Sequence, residues 1–504
     1  MRAVLQDKLG LMIKAPEIAG IEINPESWEA TPMSIQQLVV YLVGENQGLQ
    51  ARVSQVEERL RQNSQNSSKP PSQDGFGKKA SPEQASPQKK RGGQAGHRGN
   101  QRKFYELSTG DVIENHVPEV CRKCGVELMG EDPEPYRHQI LEIPPLRPQI
   151  TEHQLHQLNC GHCGTATRAK LPTGVGASQY GERLTATIAL LSSDNYQSHS
   201  KVQTLLNRLF GIEISMASVN RLRHEVSEAV LLPVQAAQEF VQGSAFVHSD
   251  ETSFSQGNGD GTNPEGKKGW LWTLVSESVI VFEVALSRSS AIAKSLIGED
   301  YSGIVISDRY SGYSWIDESH RQLCWAHIKR DLTAMSERTG VSQDIGLALL
   351  RRQKRLFRLW HHVRDGTLTR ADFQVKVALL RRGFKAQLAA AVALLSSPRE
   401  KTPLAKTLRT CQELLKWESA LWTFVEHPGI EPTNNAAEQA LRPAVIWRRL
   451  SFGSQSEAGS QFVARMLTVI TTLKVQGRDV LEFLTQACKA ARFGKPMPSL
   501  LPQS

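Results

Sequence analysis

The sequence predicts a multidomain α/β protein, and three observations carry that expectation. Two short apolar runs each close on an aspartate, Ala245-Phe246-Val247-His248-Ser249-Asp250 and Gly303-Ile304-Val305-Ile306-Ser307-Asp308, the composition of buried strands that end in a carboxylate. Two Cys-x-x-Cys-Gly knuckles, beginning at Cys121 and Cys160, frame a small metal-type module. Apolar residues recur every seven positions near the N-terminus. A chain of 504 residues, at roughly 150 per domain, holds about three or four modules.

The heptads come first. Ile35, Leu42, Leu49 and Val56 form one seven-residue series, and Val39, Asn46, Val53 and Leu60 form a second, offset by four. This is a coiled-coil seam over 34–62, with the first series at d and the second at a. Asn46 then falls at an a position, where a buried amide favours a parallel dimer at some loss of stability. A single amphipathic helix folded on its own chain is the alternative. Gly44 and Gly48 count against a long seam.

Residues 63–103 hold nine Lys and Arg against Asp74 and Glu83, so most of the net charge of +9 sits in this tract. A basic stretch rich in Ser, Pro, Gly and Gln buries too little apolar area to fold. It reads as a disordered linker able to attract a polyanion, or as one that merely solubilises. With 39% hydrophobic and 22% charged residues the remainder is ordinary for a globular protein. No apolar run reaches the ~20 residues that span a bilayer and no cleavable signal is evident, so a cytoplasmic protein is expected.

Over 104–175 the knuckles Cys121-Arg-Lys-Cys124-Gly and Cys160-Gly-His-Cys163-Gly flank sequence with strand-like alternation at Ile140, Ile143, Ile150, Leu155 and Leu158. Four thiolates complete a tetrahedral Zn²⁺ shell with no open position, so one structural zinc is expected on Cys121, Cys124, Cys160 and Cys163. A redox Cys-x-x-Cys would need a thioredoxin-like βαβ context, which is missing. Next, 180–232 reads as three helices, Gly181 to Ser193, Lys201 to Phe210 and Ser215 to Val230, with helix-turn-helix spacing. Arg221 and Arg223 on the third can reach phosphates or bases, although a plain helical connector has the same pattern.

From 243 the expected elements are strands to Asp250, Gly269 to Ser276 and Val279 to Leu286, a helix Ser289 to Ile297, a strand to Asp308 and a strand Arg321 to Trp325. Helices then follow. This is the element order of an RNase H-like domain, here with its first part at 243–335, an all-helical insertion at 336–427 and its second part at 428–490. Glu438 lies in the second part, in the helical run Asn434-Asn435-Ala436-Ala437-Glu438-Gln439-Ala440-Leu441-Arg442.

Asp250, Asp308 and Glu438 thus form a candidate two-metal phosphodiester-cutting site. Mg²⁺ prefers oxygen ligands and takes one or two protein carboxylates plus substrate phosphate, and two ions ~3.5–4 Å apart suit an in-line displacement. Asp250 would bridge the ions, with Asp308 and Glu438 each holding one. Glu251, Asp260, Asp300 and Asp317 read as ordinary surface acids. Cys324-x-x-His327 lacks further ligands and reads as strand-end packing or a substrate contact. In the insertion, Leu349, Leu350, Leu356, Phe357, Trp360 and Val363 make one apolar helix face, with Arg351, Arg352, Lys354, Arg355, Arg358 and Arg364 around it. Arg442, Arg448 and Arg449, with Trp447, can clamp phosphates and stack a splayed base, although Trp447 suits core packing equally.

Together these motifs resemble the insertion sequence 66 family of DDE transposases over nearly the whole chain. The matching features are the heptad helix, the linker Asn66-Ser67-Ser68-Lys69-Pro70-Pro71-Ser72-Gln73-Asp74-Gly75 and the paired knuckles. They continue with His248-Ser249-Asp250-Glu251-Thr252, Asp308-Arg309-Tyr310-Ser311-Gly312-Tyr313, Cys324-Trp325-Ala326-His327 and Asn434-Asn435-x-x-Glu438-x-x-Leu441-Arg442-Pro443. The resemblance implies a Mg²⁺-dependent transposase, with the triad Asp250, Asp308 and Glu438, that binds terminal inverted repeats, nicks the ends and joins them to target DNA. Its implied partners are element-end and target DNA, a homodimer or higher synaptic oligomer, and accessory proteins of the same element. Two competing readings stay open: a non-catalytic, transposase-derived repressor, and an RNase H-like nuclease without strand transfer.

Overall fold

The computed structural model describes residues 24–63, 67–69, 102–176, 178–395 and 400–502. The basic linker expected over 63–103 therefore lies almost entirely outside the described residues. In chain order the elements are α1 (Pro25–Glu29), α2 (Met33–Arg61), β1 (Gln157–Asn159), β2 (Ala166–Arg168), α3 (Glu182–Ser193), α4 (His199–Phe210), α5 (Met216–Ala229), α6 (Leu231–Gln242), β3 (Phe246–Ser253), β4 (Trp270–Val275), β5 (Ile280–Ala285), α7 (Ser290–Ile297), β6 (Ile304–Ser307) and β7 (Arg321–Leu323). There follow α8 (Trp325–Ser336), α9 (Val341–Arg364), α10 (Arg370–Val392), α11 (Pro403–Lys416), α12 (Thr423–Glu426), α13 (Asn435–Ser451), α14 (Glu457–Val475) and α15 (Val480–Phe493). Among the described residues no helix is long and apolar enough to cross a membrane.

The chain divides into two compact units. One draws on the described parts of Met1–Ser81 with Leu323–Pro432, the other on Pro82–Gln322 with Thr433–Ser504.

In the first unit α2 carries all eight heptad residues from Ile35 to Leu60 and runs unbroken through Gly44 and Gly48. The seam is uncovered in the single chain: Leu42 is 54% and Leu49 56% exposed. Helices α8, α9, α10 and α12 close around an aromatic cluster in which Trp325 lies 5.3 Å from Trp422 and 5.6 Å from Phe384, ring centre to ring centre. The Trp325 indole N–H donates to the Leu421 carbonyl at 2.7 Å, which satisfies its polar edge. This packing explains a difference from expectation. The strand expected to reach Trp325 ends at Leu323, Cys324 caps α8, and the helical block starts there rather than at 336. Leu349, Leu356 and Trp360 form the buried face of α9, with Arg351, Lys354, Arg355 and Arg358 on its solvent side. Ser68 is anchored to the end of α8, its N–H and hydroxyl donating to the Glu337 carboxylate at 2.8 and 2.6 Å.

The second unit is built on a five-stranded sheet in the order β5-β4-β3-β6-β7. β3, β4 and β5 pair antiparallel, and β3 pairs parallel with β6. An edge strand leaves backbone groups unpaired. On β5 these are met by α14, where Thr468 and Thr472, one turn apart, accept from the Phe282 and Ile280 N–H at 2.9 and 3.0 Å. The core joins Val247, Trp272, Phe282 and Val305 of the sheet to Leu467, Ile470 and Leu484 of α14 and α15.

Ahead of the sheet lie α3, α4 and α5. Ser198 caps α4, Gly211 ends it at φ 64° in the left-handed region, and Ser215 caps α5. Ile188, Val202, Leu206, Val219 and Leu222 make a small core of their own. α6, which the sequence reading did not separate from its surroundings, follows α5 after Val230 and leads into β3. In the cysteine module only β1 and β2 form, paired Gln157↔Arg168 to Asn159↔Ala166. The expected strand alternation through Ile140, Ile143 and Ile150 does not produce strands. All three side chains are solvent-exposed, so the alternation has no core to face.

Candidate active site

The sheet register brings the two aspartates together. β3 and β6 pair Phe246↔Ile304, Val247↔Val305 and His248↔Ile306, so two residues further on Asp250 stands opposite Asp308. β6 stops at Ser307, whereas β3 continues along its other neighbour, with Asp250↔Thr273 through Ser253↔Trp270. Asp250 is therefore mid-strand rather than at a strand end as expected, yet it lies past the end of the parallel pairing.

Side chains alternate along a strand, so His248 and Asp250 share a face. The start of α13 docks on that face through Asn434. The His248 Nδ1–H donates to Asn434 Oδ1 at 3.0 Å, and Asn434 Nδ2 donates to the Ser249 carbonyl at 2.8 Å. Burial pushes the His248 imidazole down to about 4, which keeps it neutral. Glu438 follows one helical turn later, its N–H bonded to the Asn434 carbonyl at 3.2 Å. The helix expected to carry the third acid thus meets the strand that carries the first.

The cluster is electrostatically tense. Burial, then the nearby charges of Glu251 and Asp308 and, more weakly, Glu438, push the Asp250 carboxyl up to about 8 against a stabilising bond from the Glu251 N–H. Asp308 is oriented by the Tyr310 N–H at 2.8 Å, and its backbone carbonyl accepts from the buried Arg321 at 2.8 Å. Asp250, Asp308 and Glu438 do not converge within 4.8 Å as the shell of one ion. Three half-buried carboxylates whose charges act on one another nevertheless offer the oxygen donors that hard divalent cations prefer, and such a charge would relieve the repulsion.

Glu251 corrects the sequence reading, which placed it on the surface. It is buried on the opposite face of β3 from Asp250, where it accepts from Arg288 through Nε at 2.7 Å and through a second guanidinium nitrogen. The Tyr313 hydroxyl donates to its other oxygen at 2.6 Å and accepts from Ser249 at 2.9 Å. Strand alternation was the available signal, since it puts Glu251 on the same face as the core residue Val247. Asp260, Asp300 and Asp317 are exposed, as expected.

The five arginines named as DNA contacts divide. Arg221, Arg442 and Arg449 are exposed, with Arg221 3.8 Å from Glu225. Arg223 turns inward, stacks 4.1 Å above the Phe462 ring and meets His199. Arg448 binds the end of β3 through Thr252 and Ser253, at 2.9 Å and 2.7 Å to their hydroxyls. Trp447 packs between Tyr196 and Phe462, so core packing accounts for it and base stacking does not.

Each cysteine knuckle forms a tight turn, with the Gly125 N–H on the Cys121 carbonyl and the Gly164 N–H on the Cys160 carbonyl, both at 2.9 Å. Hydrogen bonds within the knuckles, from backbone N–H groups in the first and from Thr165 in the second, lower the Cys121 and Cys163 thiols from their ordinary value. The two pairs are not gathered into one shell: no group of three or more ligand side chains among the described residues includes them.

Three family models match the chain: the transposase IS66 family over 177–462, the zinc-finger binding domain of transposase IS66 over 118–164, and a family of unknown function over 22–103. Two proteins of Sinorhizobium fredii (strain NBRC 101917 / NGR234) are similar. The uncharacterized protein y4qI is 25% identical over 413 residues, covering 77% of this chain and 73% of its own. The uncharacterized protein y4hP is 25% identical over 400 residues, covering 72% and 68%. The transposase match spans the sheet, α13 and more than half of the sequence, and the zinc-finger match spans both knuckles, so the chain belongs to the transposase IS66 family.

Proposed function

We propose that Asp250, Asp308 and Glu438 are the catalytic acids of a DNA transposase that nicks the ends of its element and joins the freed 3′ hydroxyls to target DNA. The observation that carries this reading is the register of β3 and β6, which sets Asp250 opposite Asp308, with the helix bearing Glu438 docked on the same strand. The strand order β5-β4-β3-β6-β7, antiparallel on one side of β3 and parallel on the other, supports an RNase H-like core.

The three carboxylates would hold Mg²⁺. Two such ions, when bound, lower the barrier to phosphodiester exchange by activating the attacking oxygen and stabilising the leaving one. The chain's own part is positioning. Asn434 fixes the distance between α13 and β3, Arg321 and the Tyr310 N–H orient Asp308, and the Glu251–Arg288–Tyr313 cluster stiffens β3 from behind. The cysteine module would take zinc, and the helix-turn-helix region would bind element ends.

The test is Mg²⁺-dependent cleavage and joining by purified protein on DNA carrying candidate element ends, beside Asp308→Asn. Joining by the wild type alone supports the transposase. Cutting without joining makes the protein a nuclease, and binding without cutting makes it a repressor.

A further inference from the structure

In the first unit α9 and α10 enclose a groove of about 560 Å³ whose charged lining is entirely arginine. Arg351, Arg352 and Arg355 reach it from α9, and Leu380, Gly383 and Gln387 form the α10 wall. No carboxylate lines it, and neither helix carries an acid beyond its first turn, where Asp344 and Asp372 stand.

The helix itself does not account for the positive charge of α9. Basic side chains are favoured in the last turn, at the negative end of the dipole, and His361, His362 and Arg364 sit there. Arg351, Arg352, Lys354 and Arg355 lie in the middle, where that field has faded. Arg351 and Arg355 are one turn apart, as are Lys354 and Arg358, and like charges at that spacing destabilise a helix. Nor does the fold use them. Other arginines of this unit are engaged: Arg381 pairs with Glu418 and Glu426, each at 3.0 Å, and Arg338 and Arg370 donate to the Pro403 and His427 carbonyls at 3.2 and 2.8 Å. Arg351, Lys354, Arg355 and Arg358 have no ion pair among the described residues.

Arg352 is held in place. It is half-buried, its Nε donates to Gln387 Oε1 at 3.1 Å, and its guanidinium lies against α10 at Gly383. A Cβ on Gly383 would come within 2.8 Å of the guanidinium carbon. Glycine in the middle of a helix is unfavourable, and this one stands where any side chain would take the arginine's seat. The terminal guanidinium nitrogens have no protein partner among the described residues, and such a planar fork matches phosphate oxygens.

We infer that this groove grips the sugar-phosphate backbone of duplex DNA, with Arg352 as the fixed contact and Arg351 and Arg355 beside it. The basic run from Arg351 to Arg358 follows the helix for ~10 Å, at 1.5 Å per residue, so it can meet more than one phosphate. Gln387, the one amide in the walls, is engaged by Arg352, and the rest of the α10 wall is apolar. The groove therefore offers charge rather than a pattern of donors and acceptors, and the contact is independent of sequence. The inference rests on the reading of the chain as a DNA-acting protein and adds to it a second surface, in the helical block that this reading leaves without a role.

The test measures binding of the full chain to two duplexes of equal length, one with a candidate element end and one of random sequence, over a range of salt. Wild type is compared with Arg351→Gln plus Arg355→Gln, with Gly383→Ala and, as a charge control on the exposed surface of α11, with Lys406→Gln. The melting temperature of each is taken with and without inorganic phosphate. The double variant should flatten the plot of log affinity against log salt by roughly two units on both duplexes, one for each lost phosphate contact, and melt like the wild type. Gly383→Ala should melt no lower than the wild type yet bind both duplexes several-fold more weakly, because the added methyl displaces Arg352. Lys406→Gln should leave the slope unchanged. Equal slopes in wild type and double variant overturn the groove while leaving the DNA-acting reading intact. An equal effect of Lys406→Gln also overturns it, because the contribution would then be one of net charge. Weakening on the element end alone overturns the backbone contact in favour of base reading. Phosphate stabilisation lost in the variants with unchanged DNA binding overturns it as well, because the groove would then hold free phosphate. A wild type that binds neither duplex removes the underlying reading, and the inference with it.

Discussion

Asp250 and Asp308 each lie two residues beyond His248 and Ile306, the last paired residues of β3 and β6, and the Asp308 charge helps to push the Asp250 carboxyl up. Parallel strands lie ~4.8 Å apart, so carboxylates just past the end of a parallel pairing stay close enough to repel. Replacing either by Asn keeps shape and removes charge. Asp250→Asn and Asp308→Asn should each lower cleavage by more than ~100-fold, beyond the 10–100-fold typical of outer-shell partners, and leave DNA affinity intact. Cleavage at the wild-type rate in one variant would remove that residue from the site.

Asn434 is the joint between α13 and β3, only 1% exposed and bonded at both ends of its amide. Asn434→Ala would strand the buried Ser249 carbonyl and the His248 ring, at about 1–3 kcal/mol for each group left unsatisfied. It would also loosen the helix that carries Glu438, and a shift of ~1 Å in a catalytic group can slow a reaction about 100-fold. Denaturant melts should therefore show a destabilised but folded protein whose cleavage falls more than its DNA binding does. Unchanged stability would mean the joint is not where α13 is held.

The pair Glu251–Arg288 should behave as a structural unit. Glu251's side chain is 1% exposed, and losing one partner of a buried pair typically destabilises by ~3–5 kcal/mol, whereas replacing both by apolar residues of similar volume is much milder. Arg288→Ala should thus lower stability substantially, and Glu251→Leu with Arg288→Met should recover much of it. A double variant as unstable as the sum of the singles would show that the two residues do not act through one another.

How much of this was legible in the sequence depends on the distance over which each interaction acts. The strands that lead to the two aspartates could be read because each aspartate follows a run of apolar residues, a local signal. Apart from α6, which was not expected, the strand and helix bounds from Glu182 to Ser307 followed expectation within a few residues for the same reason. Alternation along β3 marks Glu251 as inward-facing, but the groups that satisfy it there, Arg288 and Tyr313, stand 37 and 62 residues away and leave no local trace. Direction was equally hidden: Arg221 and Arg223 are neighbours in sequence on one helix, yet one faces solvent and the other stacks on Phe462. Counting charge does not reveal which way it points. Trp447 was ambiguous until Tyr196 and Phe462 were found on either side of it.

The cysteine module should contain one tightly bound zinc per chain, since four thiolates close a tetrahedral shell once the ion draws the two knuckles together. Metal analysis of purified protein is the check, with Cys124→Ser and Cys163→Ser expected to lose zinc and to expose 104–175 to proteolysis. Protein that retains full activity and holds no zinc would falsify this assignment.

The exposed seam of α2 argues for a partner helix. Leu42, Leu49, Val53 and Val56 are all more than half exposed in the single chain, although they lie on one continuous stripe. Pairing with a second copy would cover the stripe and bury Asn46 against its counterpart, which favours the parallel dimer. Sedimentation of the full chain should show a dimer or larger species, and Leu42→Ser with Leu49→Ser should shift it towards monomer while leaving the melting of the sheet-containing unit unchanged. Strand joining requires two DNA ends to be held together, so the same variant should keep single-end nicking better than it keeps joining. Equal loss of both activities would place the role of α2 in folding, and an unchanged mass would mean that another surface holds the copies together.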